Sequence, residues 1–345
     1  MKNFVFGMDA NHPADSARLI RERGYDAVVL GGVTPEAADA LEKEGIELYL
    51  CFGAYGVPKD SERLAEDAFH APRRWFNSGC PHDAGNADAH LNAVLEKAAA
   101  LPSVRGILVD GARFASFASV EGIESFFTCF CPRCMRAMTD MGLDAEAVRK
   151  TVGRLMQNCN PQPEDEFLLK HWLSFREKTV QDYMDRFAAR VHELRSGLAA
   201  GAFIFAPSLG SFVGQTPAAC RSLDIISHML YRDYHQQYGV ACLGHEWAAL
   251  IKAFGRNTQQ FLNACGADSA LRTDKTPEEL LHGGFDPEWV GLEVAHARNA
   301  CPEQQLWPII QLDDERVHEA AQYARQNGAD AVGLFAYSHG ELPAF

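Results

Sequence analysis

No stretch of this sequence approaches the ~18 consecutive apolar residues of a membrane span. No secretion leader is legible either. In MKNFVFGMDANHPADS a single Lys precedes a short apolar run, and Asp9 and Asp15 follow at once, the pattern of a first strand. The expectation is a soluble, cytoplasmic protein. Positive charge is in deficit, with 32 Lys and Arg against 46 Asp and Glu, a formal net charge of −14. Such a surface repels phosphate backbones and anionic lipid, so nucleic acid and membrane are poor partners, while a small neutral molecule stays compatible. No Gly-x-Gly-x-x-Gly follows the first strand, which removes support for a dinucleotide fold. No His-x-His or His-Glu-x-x-His is present, which weakens a metal-dependent hydrolase or lyase built on Asp9, His12 and His228. Low-complexity tracts and internal repeats are lacking as well.

What is present is an ordinary globular balance: 345 residues, 47% hydrophobic and 23% charged. Short apolar runs alternate with longer amphipathic stretches. The strand candidates are Asn3–Met8, Ala27–Leu30, Glu47–Phe52, Gly106–Val109, Ala202–Ala206, Asp224–Met229, Leu306–Gln311 and Ala331–Phe335. Continuous runs such as VVL, GILV and FIF suit strands buried on both faces of a parallel sheet. Gly24, Gly45 and Gly328 stand between a helical pattern and the next strand, the punctuation of α/β units. The repetition predicts an α/β protein, a single (β/α)8 TIM barrel domain spanning 1–345. Two connections are long. One, from Phe114 to Ala199 after strand four, carries a helix around Pro163–Ser196. The other, from Arg232 to Gln305 after strand six, carries helical patterns around His245–Ala264 and Pro287–Ala300. These insertions are also candidate surfaces for a homo-oligomer.

Of the ten cysteines, Cys51, Cys220 and Cys301 read as scattered core residues, and a reducing compartment argues against a disulfide framework. Cys129, Cys131 and Cys134 are different, since Cys-x-Cys-x-x-Cys with a proline-bearing turn suits convergence on one tetrahedral Zn2+. The leading fourth ligand is Cys80, in the loop after strand three; His82 is the second choice. Four protein ligands leave no open position, so the metal is structural. Three thiols without a metal is the plainer alternative. A radical iron–sulfur site has the wrong spacing and place.

The cysteine run after strand four, with Cys80 upstream, resembles the family-42 β-galactosidases, (β/α)8 glycoside hydrolases whose upstream cysteine completes a structural zinc site. LVDGARF (Leu108–Phe114) ahead of the run is also similar to a broader group of glycoside hydrolase barrels carrying Asp-x-x-Arg-Phe, and GADAVGLFAY is similar in both groups. The resemblance implies glycoside hydrolysis. It departs at the chemistry. The family places a Glu acid/base at the end of strand four and a Glu nucleophile at the end of strand seven. This chain has Asp110 near the first position and Gln311-Leu312-Asp313-Asp314 near the second.

Barrel active sites lie at the C-terminal ends of the strands. That rule selects Asp9, Asp110, Arg113, Ser208, His228, Tyr231, Arg232, Gln311, Asp313, Asp314, Tyr337 and His339. Glycoside hydrolysis needs two carboxyl groups, and Asp110 and Asp313 are the candidate catalytic pair, Asp314 the substitute. A guanidinium lowers a carboxylate pKa, so Arg113 is expected to hold Asp110 ionised as nucleophile or stabiliser, with Asp313 as proton donor. Asp9, Arg113, His228, Tyr231, Arg232, Gln311 and Tyr337 are the substrate-binding candidates, with Phe114 and Trp247 as looser members of a sugar-stacking platform. Each has a plainer reading. Asp110 and Arg113 suit a buried ion pair, Asp314 and Asp9 suit helix caps, and His228 suits a core histidine. The expected function is a glycoside hydrolase acting on a small neutral carbohydrate. The alternative is a catalytically degenerate carbohydrate-binding barrel.

Overall fold

A computed structural model describes residues 1–58, 61–75, 78–119, 121–232, 242–267 and 273–344. Parts of the second long connection, 233–241 and 268–272, lie outside the described residues. The barrel strands are β1 (Lys2–Phe6), β2 (Ala27–Leu30), β3 (Glu47–Gly53), β4 (Val104–Asp110), β5 (Ala199–Ile204), β6 (Ile225–His228), β7 in two segments (Gln305–Leu306 and Ile309–Gln311) and β8 (Ala331–Phe335). All pair in parallel, in the ladder order Ile309–Gln311, β8, β1, β2, β3, β4, β5, β6, Gln305–Leu306. The two ends of that ladder are halves of one strand. Pro308, which has no N–H to give, separates them, and the pairing of β6 continues across the gap from Met229 to Ile309. The sheet is therefore a closed (β/α)8 barrel, with its long insertions after β4 and β6.

The helices form for the reasons the sequence suggests. Pro13 and Pro35 open the first two, and Thr34 caps the second by accepting the Ala37 N–H at 3.2 Å. Gly24, Gly45 and Gly328 all have positive φ and close the helices before β2, β3 and β8. The first insertion contains a 29-residue helix, Glu166–Leu194, whose buried stripe includes Leu169, Trp172, Phe175, Arg176, Tyr183 and Phe187. The pattern expected as one helix over His245–Ala264 is two, Leu243–Phe254 and Thr258–Cys265, broken at Gly255. Among the described residues no helix is long and apolar enough to cross a membrane.

The lumen is filled by rings. Phe4 meets Trp307 at 5.4 Å between centroids, and Tyr49 meets Trp307 at 5.1 Å from the other side. One layer higher Phe6 meets Phe203 at 5.6 Å and Phe335 at 5.2 Å. The contacts of Phe4, Tyr49 and Trp307 and of Phe6 with Phe203 cross the barrel, and Phe335 is the register partner of Phe6, so together they identify which residue parity faces inward. Gly333 stands beside Phe4 in register, and a Cβ there would lie 2.1 Å from the Phe4 ring. The ring occupies the space any larger residue would need.

Candidate functional site

Side-chain parity sorts the candidates at the barrel mouth. Tyr49 faces the lumen and pairs with Gly106, so Leu108 and Asp110 on β4 face it too. Asp110 is the last residue of that strand and stands above the rings. Gln311 pairs with Phe335, which faces Phe6, so Gln311 also points inward. His228 does not. It pairs with Ile204, one position beyond the inward Phe203, and turns outward toward the helix Glu288–Ala300, where His296 lies. Burial, with a smaller push from His296, holds His228 down at a pKa of about 3, so it is neutral.

Asp110 is partly buried, and desolvation is the strongest influence on it. Its pKa is raised; the opposing effects of Arg113 and the Gly111 N–H are smaller. The expectation that Arg113 would hold Asp110 low is reversed, because the two groups form no ion pair. The Arg113 guanidinium instead lies 4.3 Å from the Trp75 ring centroid and 4.4 Å from that of Phe205. It donates to the Phe114 carbonyl at 3.1 Å. Burial lowers Arg113 to about 10, offset by Glu246 and then Asp110, and leaves it cationic at neutral pH.

The remaining candidates have local partners. Asp9 accepts the Asn11 N–H at 2.9 Å and lies 3.1 Å from the His12 ring, in a turn ahead of the first helix. Tyr231 is buried with its ring 5.2 Å from Phe335. Tyr337 is buried, and its N–H donates to the Phe6 carbonyl at 2.8 Å. Phe114 and Trp247 are buried as well. Asp313 is exposed and accepts from Gln311 Nε2 at 2.7 Å. Asp314 is not the helix cap. The helix begins at Val317 with Arg316 at the cap position, and the Asp314 carboxylate is held by Arg232 through both oxygens. Arg232 also donates to the Phe285 carbonyl at 2.9 Å, so its guanidinium is committed to structure.

Glu246 and Glu293 are among the buried carboxyl groups that a reading of strand ends misses. Glu246, on Leu243–Phe254, accepts the Ser116 hydroxyl at 2.7 Å and the Ala118 N–H at 3.0 Å, tying the loop after β4 to the helix after β6. Glu293, on Glu288–Ala300, accepts the Ser208 N–H at 3.1 Å at the start of Pro207–Val213, and its other oxygen is buried without a partner. Burial raises Glu293 to about 7. Each lies on the apolar stripe of its helix, with Leu243, Trp247 and Leu250 or with Val290, Val294 and Ala297. That placement is the signal in the sequence that marks them.

The cysteines converge. Cys80, Cys129, Cys131 and Cys134 are buried, and their sulfurs all lie within 4.8 Å of one another. Cys80 Sγ is 3.4 Å from Cys131, 3.5 Å from Cys134 and 3.8 Å from Cys129. Four sulfurs at about 2.3 Å from a tetrahedral ion would be ~3.8 Å apart, so the donor set fits one metal ion. Cys131 precedes the helix Pro132–Asp140 and Cys134 lies in its first turn, where the helix dipole favours thiolates. The Glu66 N–H points at Cys129 Sγ from 3.4 Å. His82 is not part of the group: its Nε2 lies 2.9 Å from Thr179 Oγ1, and its ring stacks on Phe175. Among the described residues these cysteines are the one group placed to hold a metal, and Asp9, His12 and His228 form no such set.

The site joins two loops. Beside the cysteines, a short hairpin in the loop after β3 (Ala65–Glu66 with Pro72–Arg73) accepts the Phe130 N–H at the Glu66 carbonyl, 2.8 Å away. The buried Arg176 lies 3.9 Å from the Trp172 ring centroid and donates to the carbonyls of Phe126, Thr128 and Phe212, holding the segment that leads into Cys129.

A scan against protein-family models gave no match, and neither did a search of curated proteins. Solved structures do match. A β-galactosidase from the Antarctic haloarchaeon Halorubrum lacusprofundi superposes with a TM-score of 0.64 at 17% identity, covering 97% of this chain and 52% of its own. A β-galactosidase from the psychrophilic Marinomonas ef1 gives 0.63 at 15% identity, covering 98% and 54%. A family-42 β-galactosidase from G. stearothermophilus gives 0.58 at 12% identity, covering 99% and 52%. The chain thus spans about half the length of the β-galactosidases it matches. What it shares with these glycoside hydrolases is the barrel fold.

Proposed function

We propose that this barrel is a glycoside hydrolase acting on a small carbohydrate, with Asp110 and Asp313 as its two carboxyl groups. The observation that carries the reading is Asp110, which faces inward at the open end of a lumen sealed below by Phe4, Tyr49 and Trp307, in a barrel shared with β-galactosidases. Its raised pKa suits a proton donor, the reverse of the role expected from Arg113. Asp313, exposed and hydrogen-bonded by Gln311, is then the base or nucleophile. The four cysteines hold a structural zinc that pins the rim and supplies no reacting ligand. The test is a panel of chromogenic glycosides with the wild type, Asp110→Asn and Asp313→Asn. Each substitution is expected to lower kcat/KM by about 100-fold or more. Unchanged hydrolysis in both variants refutes the pair.

One observation favours a second reading, a carbohydrate-binding barrel without turnover. The inward position at the end of β7 holds the neutral amide of Gln311, and the carboxylate two residues on is exposed. This reading expects sugar affinity by calorimetry with no product. A single-turnover product detected by mass spectrometry excludes it.

A further inference from the structure

Among the described residues three arginines have buried side chains, and two are compensated. Arg232 is bound through two nitrogens to Asp314, and Arg176 donates to three carbonyls amid aromatic rings. Arg113 is the exception. It is 5% exposed, yet among the described residues its one hydrogen bond runs to the Phe114 carbonyl. Its Nε is buried without a partner. Among the described residues no carboxylate approaches it within ion-pairing distance. Both oxygens of the neighbouring Glu246 are taken by Ser116 and Ala118. The rings of Trp75 and Phe205 both pack on the guanidinium, with centroids 4.3 and 4.4 Å from it.

A desolvated cation with carboxylates near it but none in direct contact is costly to fold. A guanidinium fixed by packing against aromatic rings is pre-oriented for a planar, two-pronged anion. Arg113 also stands three residues beyond Asp110, at the same strand end, so a group bound there brings its sugar to the mouth that Asp110 faces. Resting on the glycoside hydrolase reading, we infer that the substrate is an acidic sugar, its carboxylate or phosphate ester bound by Arg113, and not the neutral sugar that the chain's overall charge suggested. The net charge of −14 gives no general attraction for anions. Selection therefore falls to this one local cation.

The test uses the full chain and measures binding by calorimetry, with turnover on the matching nitrophenyl glycosides. The probes are methyl glucuronide and galacturonide, the 6-phosphates of methyl glucoside and galactoside, and the neutral parents. Wild type is expected to bind at least one acidic probe about tenfold or more tightly than its neutral parent. Whether uronide or phosphate wins identifies the anion. Arg113→Gln is expected to abolish the preference. Arg113→Lys keeps the charge but loses the fork, and is expected to retain part of the preference. If Arg113→Gln does not fold, the Lys variant and the wild-type comparison decide. Neutral sugars bound or cleaved as well as acidic ones, or an acidic preference surviving in Arg113→Gln, overturn the inference and leave the hydrolase reading standing. Absence of binding and turnover with every sugar brings down the hydrolase reading and the inference with it.

Discussion

Replacing Asp314 by Asn removes the counter-charge of a buried cation and changes little in shape. The Arg232 and Asp314 side chains are 8% and 3% exposed. Arg232 Nε donates to one carboxylate oxygen at 2.6 Å, and a terminal nitrogen donates to the other. Breaking such a pair from one side costs about 3–5 kcal/mol, because the remaining charge stays in a site built for two. For 345 residues the unfolding entropy is roughly 0.7 kcal/mol/K, so a loss of about 4 kcal/mol lowers Tm by about 6 °C. Urea denaturation followed by circular dichroism reads the first quantity, and a thermal scan reads the second. The double variant Arg232→Met/Asp314→Leu is expected to recover most of the loss, since apolar residues can replace a buried pair at little cost. Lys178→Ala breaks the exposed Lys178–Asp182 pair and serves as control, with an expected change of roughly 0.5 kcal/mol or less. An Asp314→Asn variant within about 1 kcal/mol of wild type, or a double variant as unstable as the single, refutes the account.

Two further outcomes are expected. Chain purified without chelator carries zinc at one ion per chain by elemental mass spectrometry, Cys80→Ser loses it, and metal removal lowers Tm; full zinc retention in Cys80→Ser contradicts the four-sulfur site. Glu293, raised to about 7 by burial, binds a proton in the folded chain that the unfolded chain releases near pH 4.5. Stability from this group is therefore complete below about pH 4.5, falls as pH rises toward 7, and is level above that. Glu293→Gln is expected to flatten this decline in urea titrations between pH 4.5 and 8, and an unaltered profile removes Glu293 as its source.

Much of this was legible in the chain, for physical reasons that vary by element. β2 and β8 fall on their expected residues because continuous apolar runs mark strands buried on both sides. β5 begins at Ala199, three residues before the expected start. Ala199, Ala200 and Gly201 have little strand preference of their own and become a strand by pairing with Gly106, Ile107 and Leu108. β7, expected as one strand over Leu306–Gln311, is split at Pro308, which cannot donate to the ladder. Convergence of Cys80 on the other cysteines could be anticipated because consecutive barrel loops are neighbours. The Arg232–Asp314 pair joins residues 82 positions apart and leaves no local trace. Glu246 and Glu293 were overlooked because a strand-end rule does not inspect helices. The turning of His228 away from the lumen followed from alternation along β6, once the register was known.

The rings of Phe4, Tyr49 and Trp307 fill the lumen below the Asp110 end. Anything that enters at the Asp110 end leaves by the same door. If the proposed hydrolysis takes place there, the two fragments depart in sequence, the outer one first. Turnover would then depend on the size of the outer fragment even when the inner sugar is held constant, and the outer fragment at high concentration would compete.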